Sequence, residues 1–318
     1  MHPLLRLVAQ RLVLGAGTLL VVSALIFAGT EILPGDVAQA ILGQTATPEA
    51  VAAIREDLGL DRPAWVRYLD WLAGFLRGDL GTSLANRVPI SEMIAGRLEN
   101  TLFLAGVAAA IAVPVAITLG VIAARFRETW LDKTISIVTL SAISMPEFFI
   151  GYILIFVFAV KLFWVPSIAS VFPGMDFLDR LYAVSLPVAT LSLVVIAHMM
   201  RMTRAAIVNV MASPYIETAE LKGLTRSRIT LHHALPNALS PIINVVVINL
   251  AYLVVGVVVV EVVFVYPGMG QLMVDAVAKR DVPVVQATGI IFAATYVLLN
   301  LTADVLAILA NPRIRHAR

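Results

Sequence analysis

The feature that most constrains this chain is a set of six apolar runs, each long enough to cross a lipid bilayer. A spanning helix needs about 20 mostly apolar residues. The runs are Leu12 to Leu33, Thr101 to Ala124, Ile135 to Val160, Tyr182 to Met200, Leu239 to Val263 and Val285 to Ala310, bounded by charge or by Pro/Gly punctuation. In hydrocarbon the backbone must satisfy its own hydrogen bonds, which leaves helices or closed barrels. Barrel strands are short and alternating, about 10 residues each, and an unbroken run such as Val245 to Val260 does not alternate. The chain therefore reads as an all-α polytopic membrane protein with six transmembrane helices. Its composition agrees: 60% of residues are hydrophobic and 14% charged, against about 25% charged in soluble domains.

The first run follows Arg6 and Arg11, as a signal peptide would. It exceeds the usual apolar length of about 7–15 residues and lacks a small-residue cleavage site, so it is expected to remain as an anchor. With six spans, one side carries the amino terminus, the loop Arg125 to Thr134, the segment Arg201 to Ala238 and the tail. That side holds 13 of the 23 Lys and Arg residues, whereas the two short loops opposite hold only Lys161, Arg180, Lys279 and Arg280. The other six basic residues lie in one long outer loop, a length that translocates largely regardless of charge. Both termini are expected to be cytoplasmic. The expected division is 1–33 (cytoplasmic segment and first span), 34–100 (outer helical insertion), 101–310 (a core of five spans) and 311–318 (tail).

In the outer loop Thr47 is placed to cap a helix with Pro48 at its first position, ended by Gly59. A second helix starts near Asp61 and Pro63. It puts Trp65, Leu69, Leu72 and Leu76 on one side and adds Tyr68 and Trp71, a mixture favoured at a membrane–water boundary. This helix is either a lid on the bundle or a docking surface.

The segment Arg201 to Pro241 is polar and helix-compatible. Ser213 is a candidate N-cap with Pro214 in the first turn, Gly223 can take the positive φ that ends a helix, and Thr225 can cap the next run. The expectation is two short helices at an angle ending in a knob at Gly223-Leu224. On its own terms the segment is either a solvated connector or an insertion element for another protein.

Several chemistries are excluded or unsupported. The absence of cysteine removes disulfides, thiolate metal sites and cysteine nucleophiles. A net charge of +2 does not favour a nucleic-acid partner. There is no G-x-x-x-x-G-K-[ST] phosphate loop and no H-E-x-x-H, and His2, His198, His232, His233 and His316 have no metal-ligand spacing. Catalytic, cofactor and metal sites are thus expected to be absent from this chain.

Ionisable residues at bilayer depth are functional suspects, since each costs about 2.5–3.5 kcal/mol on insertion scales. Glu147 follows Pro146, which permits a kink; it either lines a pathway or makes a polar contact between helices. Glu261, before the Pro267-Gly268 turn, belongs to an outer gate or caps a helix end. Asp304 is expected in a structural ion pair. Asn244, Asn249 and Asn300 are candidates for interhelical hydrogen bonds, and the Ala/Gly-rich second span, from Ala105 to Ala112, signals close helix packing.

Glu217, Ala219, Gly223, Leu235 and Pro236 fall at the spacing of the EAA loop of bacterial ABC importer membrane subunits, with Thr218 and His233 departing from the usual pattern. Leu33-Pro34-Gly35-Asp36, Leu58-Gly59-Leu60-Asp61-Arg62-Pro63, Arg77-Gly78-Asp79-Leu80-Gly81, Ser144-Met145-Pro146, Glu261 to Gly270, Arg280-Asp281-Val282-Pro283 and Asn311-Pro312-Arg313 extend the match. The chain resembles the permeases for dipeptides, oligopeptides, glutathione and nickel complexes over essentially its whole length. That resemblance implies a type I (MetI-like) permease core with an extra N-terminal helix and a periplasmic insertion, in the bacterial inner membrane. It implies as partners a homologous second permease, two cytoplasmic ATPases that use ATP and Mg, and an external solute-binding protein, besides the lipid bilayer.

By the same resemblance the loop 213–236 couples to the ATPase through Glu217, Ala219, Lys222, Gly223 and Leu224. The pathway or gate candidates are Pro146, Glu147, Glu261, Pro267 and Gly268. The alternative is a stand-alone ion-coupled secondary transporter acting through Glu147 or Asp304, for which internal repeats are not visible. The resemblance supports a peptide-like or similarly sized solute without naming it.

Overall fold

The computed structural model describes residues 3–32, 37–42, 46–57 and 59–310. The motif stretches Leu33 to Asp36 and Asn311 to Arg315, Leu58, and the side chain of Asp304 lie outside the described residues. Among the described residues five helices are long and apolar enough to cross a membrane, and a sixth span exists if one sharply bent pair is counted as one. In order the helices are α1 (Pro3–Ile32), α2 (Val37–Leu42), α3 (Pro48–Asp57), α4 (Ala64–Leu76), α5 (Ile90–Arg125), α6 (Trp130–Ser144) and α7 (Glu147–Leu154). They continue with α8 (Phe177–Ala183), α9 (Ser185–Met211), α10 (Pro214–Leu221), α11 (Arg226–Arg228), α12 (Leu235–Val263), α13 (Met269–Ala278) and α14 (Val282–Ala310). Short π-helical stretches, Ile155–Lys161 and Ile229–Ala234, follow α7 and α11.

Two expectations need correction. The third span is not one helix from Ile135 to Val160: α6 and the run Glu147–Lys161 meet at 105°. A residue before proline is pushed out of the helical region, and Met145 accordingly sits at φ −98°, ψ 137°. The fifth span does not begin after Pro236. A helical run starts at Arg226 and passes through both Pro236 and Pro241. The wide π turn at Ile229–Ala234 ends two residues before Pro236, a placement that suits a residue unable to donate to the helix ladder.

The chain resolves into two compact units, Met1–Thr101 with Pro267–Val297, and Leu102–Tyr266 with Leu298–Arg318. The N-terminal helix and outer insertion therefore group with α13 and the first half of α14.

In the first unit α4 lies along α1. Tyr68 and Ser23 share a hydroxyl hydrogen bond of 2.8 Å, Phe27 meets Tyr68 edge-on at 5.4 Å, and Arg67 pairs with Glu31. Trp65, Leu69 and Leu76 stay exposed. The start of α5 packs on α13 and α14 through Ile90, Ile94, Met269, Leu272, Val284 and Ala287. Buried Asp281 explains its motif. Its carboxylate accepts hydrogen bonds from the Ser83 hydroxyl, the Leu84 N–H at 3.0 Å and the Ala85 N–H at 3.3 Å. Asp79 shapes the same outer loop by accepting from the Gly81 N–H at 2.9 Å.

In the second unit α9 is the central post, packed against α6, α7 and α12. Ala105, Ala108, Ala112, Ala116 and Ala123 are buried along α5, as its small-residue composition predicts. At Gly120 a Cβ would fall 2.7 Å from Thr203, so α5 and α9 touch nearly backbone to side chain.

Removing the Asp281 carboxylate leaves three donors unsatisfied, each worth about 1–3 kcal/mol when buried. Asp281→Ala should speed protease cleavage within residues 82–90 by about tenfold, which corresponds to about 1.4 kcal/mol, with Asp281→Asn intermediate. Mass spectrometry of the cleaved intact chain measures this.

Candidate functional site

The polar loop between α9 and α12 is a wedge whose shape follows from local rules. Ser213 occupies the N-cap position and Pro214 the first turn of α10, as expected, although the Ser213 hydroxyl turns back to the Val210 carbonyl instead of capping. The other end closes with the paired bonds of a Schellman turn. The Leu224 N–H reaches the Ala219 carbonyl at 3.3 Å and the Gly223 N–H reaches the Glu220 carbonyl at 2.8 Å. Gly223 adopts φ +76°, with open space where a Cβ would stand. Glycine is thus required by conformation, not by crowding. Thr225 then accepts from the Arg228 N–H at 3.5 Å and starts the next helical run. Tyr215 straps α10 to that run by donating to the His233 carbonyl at 3.3 Å.

The wedge has an inner and an outer face. Ile216 and Ala219 enter a core with Ala124, Ile207, Ile229, Ala234 and Ile242, and Leu224 packs on it. This core joins the ends of α5 and α9, α10, the π turn and the start of α12 into one block. Glu217, Lys222 and Gly223 are exposed. So is Leu221, at 84%, which sequence reasoning missed. Of the five expected coupling residues, three face outward, while Ala219 and Leu224 face inward and set the wedge's shape. A helical wheel would have flagged Leu221, since it falls opposite the Ile216/Ala219 face.

A second feature without a local sequence signal braces this block. Arg204 grips Asp132 in a two-point ion pair, Nε to Oδ1 and a terminal nitrogen to Oδ2, both at 2.7 Å. Asp132 also accepts from the Glu128 N–H at 3.0 Å. The pair ties the first turn of α6 to α9, seven residues before the wedge opens at Met211.

The pathway candidates separate. Pro146 breaks the third span and Glu147 opens α7, where a carboxylate is favoured by the helix N-terminus. Glu147 accepts from the Tyr252 hydroxyl at 3.2 Å, and its carboxylate lies beside Gly256. Tyr252 and exposed His198 border a half-open cavity of about 270 Å³ together with Asn249, Met202, Val245 and Ile248. Asn249 donates to the Val245 carbonyl of its own helix at 2.8 Å, not across to a neighbour as expected. Glu261 is fully buried in the last turn of α12. Pro267 and Gly268 are anchored: their carbonyls accept from Asn100 at 2.9 Å and Arg97 at 3.4 Å, and Thr101 accepts from the Met269 N–H at 2.8 Å. These contacts hold the turn on the start of α5.

A family model described as the binding-protein-dependent transport system inner membrane component matches residues 116–316, and a companion model for the N-terminal part of such membrane components matches residues 4–105. Over 313 residues the chain is 37% identical to the glutathione transport system permease protein GsiC of Escherichia coli (strain K12), and to the same protein of Salmonella choleraesuis (strain SC-B67). Each alignment covers 98% of this chain and 100% of the relative.

The Asp132–Arg204 pair is partly buried, so its loss should fall between the exposed and buried limits, about 2 kcal/mol. Asp132→Ala and Arg204→Ala should each lower the unfolding midpoint of the purified protein. The double variant should lose clearly less than the sum, as read in a double-mutant cycle.

Proposed function

Since the chain belongs to the family of binding-protein-dependent transport system inner membrane components, and is a permease subunit of an ABC importer, we propose that the wedge from Ser213 to Pro236 couples it to a cytoplasmic ATPase. Leu221, Lys222 and Glu217 form the contact surface, Gly223 makes the tip, and Ala219 and Leu224 hold the wedge rigid. The observation that carries this reading is the block itself: an exposed tip on a core shared with the ends of three long helices, α5, α9 and α12. A tip so mounted passes a push to the spans as a rigid-body shift, whereas a loose loop absorbs it.

In this scheme two partner ATPases hold and hydrolyse ATP with Mg, a homologous second permease supplies the other half of the pathway, and an external binding protein delivers the solute. Both termini are cytoplasmic. ATP-driven closure of the ATPase pair draws the wedges together and turns the pathway outward; hydrolysis resets it. The break at Pro146, with Glu147 beside it, lines the pathway. The solute is peptide-like and small, a reading supported by relatives named for glutathione transport.

Leu221→Asp combined with Glu217→Lys alters only exposed side chains of the wedge, so insertion and thermal stability should stay within about 0.5 kcal/mol of the parent. ATP hydrolysis stimulated by the binding protein should fall about tenfold or more, since an interface anchor typically contributes 2 kcal/mol or more. Unchanged stimulation in the assembled transporter contradicts the assignment of this loop.

A further inference from the structure

The exposed face shared by α9 and α12 differs in kind from the exposed face of α1. On α1, Leu12, Val13, Leu14, Leu20, Val21 and Leu25 stand open, all apolar, as lipid requires. On the other face stand His198 and Tyr252, with Asn249 beside them and Glu147 behind the Tyr252 hydroxyl. His198 is the central residue of α9 and Asn249 that of α12. A bilayer takes up about 20 residues of a helix. With the wedge up to Pro236 outside the bilayer, both central residues remain inside however the rest of the overhang is distributed. A carboxylate and an imidazole facing lipid there would each cost a few kcal/mol, so this face meets water or protein.

Three observations make it a site and not only a polar seam. The side chains border a cavity of about 270 Å³. The cavity adjoins a broken helix, and discontinuous helices at mid-membrane depth are where transporters place solute contacts. The charge at the wall is negative: Glu147 is bonded to Tyr252, and neither Lys nor Arg borders the cavity, with Arg201 the nearby cation that acts on His198 from along α9. The Tyr252 ring, its centroid 6.5 Å from that of His198, adds a π face of the kind that attracts ammonium groups.

Building on the permease reading, we propose that Glu147, Tyr252, His198 and Asn249 form a mid-membrane contact site for a cationic, ammonium-bearing group on the passing solute. Glu147 supplies the charge, Tyr252 orients the carboxylate, and the two rings with the Asn249 side chain complete the wall. The site acts in transit, after the binding protein has released its load.

The chain contains no cysteine, so one engineered thiol reports one position. In the assembled transporter, Asn249→Cys is exposed to two methanethiosulfonates, one carrying a trimethylammonium and one a sulfonate. Each rate is normalised to that of a free thiol, and modification of this chain is read by mass. The cationic reagent should be preferred about tenfold, the low end for a field focused in a cleft. Adding Glu147→Gln should bring the ratio near one. If Asn249→Cys fails to assemble, Ile248→Cys on the same wall replaces it.

Equal rates, an anionic preference, a preference that survives Glu147→Gln, or no reaction with either reagent overturns the site. Binding-protein-stimulated ATP hydrolysis is measured on matched wild-type assemblies. Its absence overturns the importer reading, whereas its presence beside a missing charge preference overturns only the ammonium site.

Discussion

A peptide group in hydrocarbon has no water to bond, so the backbone must satisfy itself, and the rest of this structure depends on that constraint. It makes the chain helical and makes each interruption informative. At Met145-Pro146 the ladder stops where proline has no N–H to give, and Glu147 begins a new helix in a new direction. Beyond α10 the open carbonyls of Ala219 and Glu220 are taken by the N–H groups of Leu224 and Gly223. At the end of α13 the Asp281 N–H reaches the Ala276 carbonyl at 2.8 Å while its carboxylate collects three donors from the outer loop. Helix ends here are built joints, and the residues that build them are the ones that make up the motifs.

The same economy connects the wedge to the spans. Ala219 is small and buried because α10 packs closely on the π turn and α12. Gly223 is exposed, and its φ, not its surroundings, demands glycine. Beside the tip, Leu221 is an apolar side chain left 84% exposed. The Asp132–Arg204 pair gives the block a further attachment, through the first turn of α6. Displacing the tip therefore loads α5, α9 and α12 together, and through Arg204 the half of the third span that precedes the break.

Much of this was legible in the sequence, and the division has a physical cause. A 20-residue apolar run is a one-dimensional signal, so all six span regions appear as helices near the expected places. Caps and turns are local too, and Thr47, Gly59, Gly223 and Thr225 take the roles their chemistry predicts. Proline marked a disturbance at 146 and 236 but not its kind: one breaks a helix by 105°, while the other follows a π turn inside a continuous run. Long-range pairs left no trace, since Asp132 is 72 residues from Arg204 and Ser83 is 198 from Asp281. The Glu147–Tyr252 contact was equally hidden, although Glu147 alone stood out as a charge at depth.

The proposed seat of the wedge tip is the surface of an ATPase. Its most direct test uses single thiols at Leu221 and, as a buried control, at Ala219, each labelled with a benzophenone in the assembled transporter and irradiated. An adduct at the combined mass of this chain and one ATPase subunit is expected from the position-221 label, with a yield that changes with ATP, and little from position 219. An equal yield from both positions, or no ATPase adduct from position 221 in an assembly that hydrolyses ATP, would contradict it.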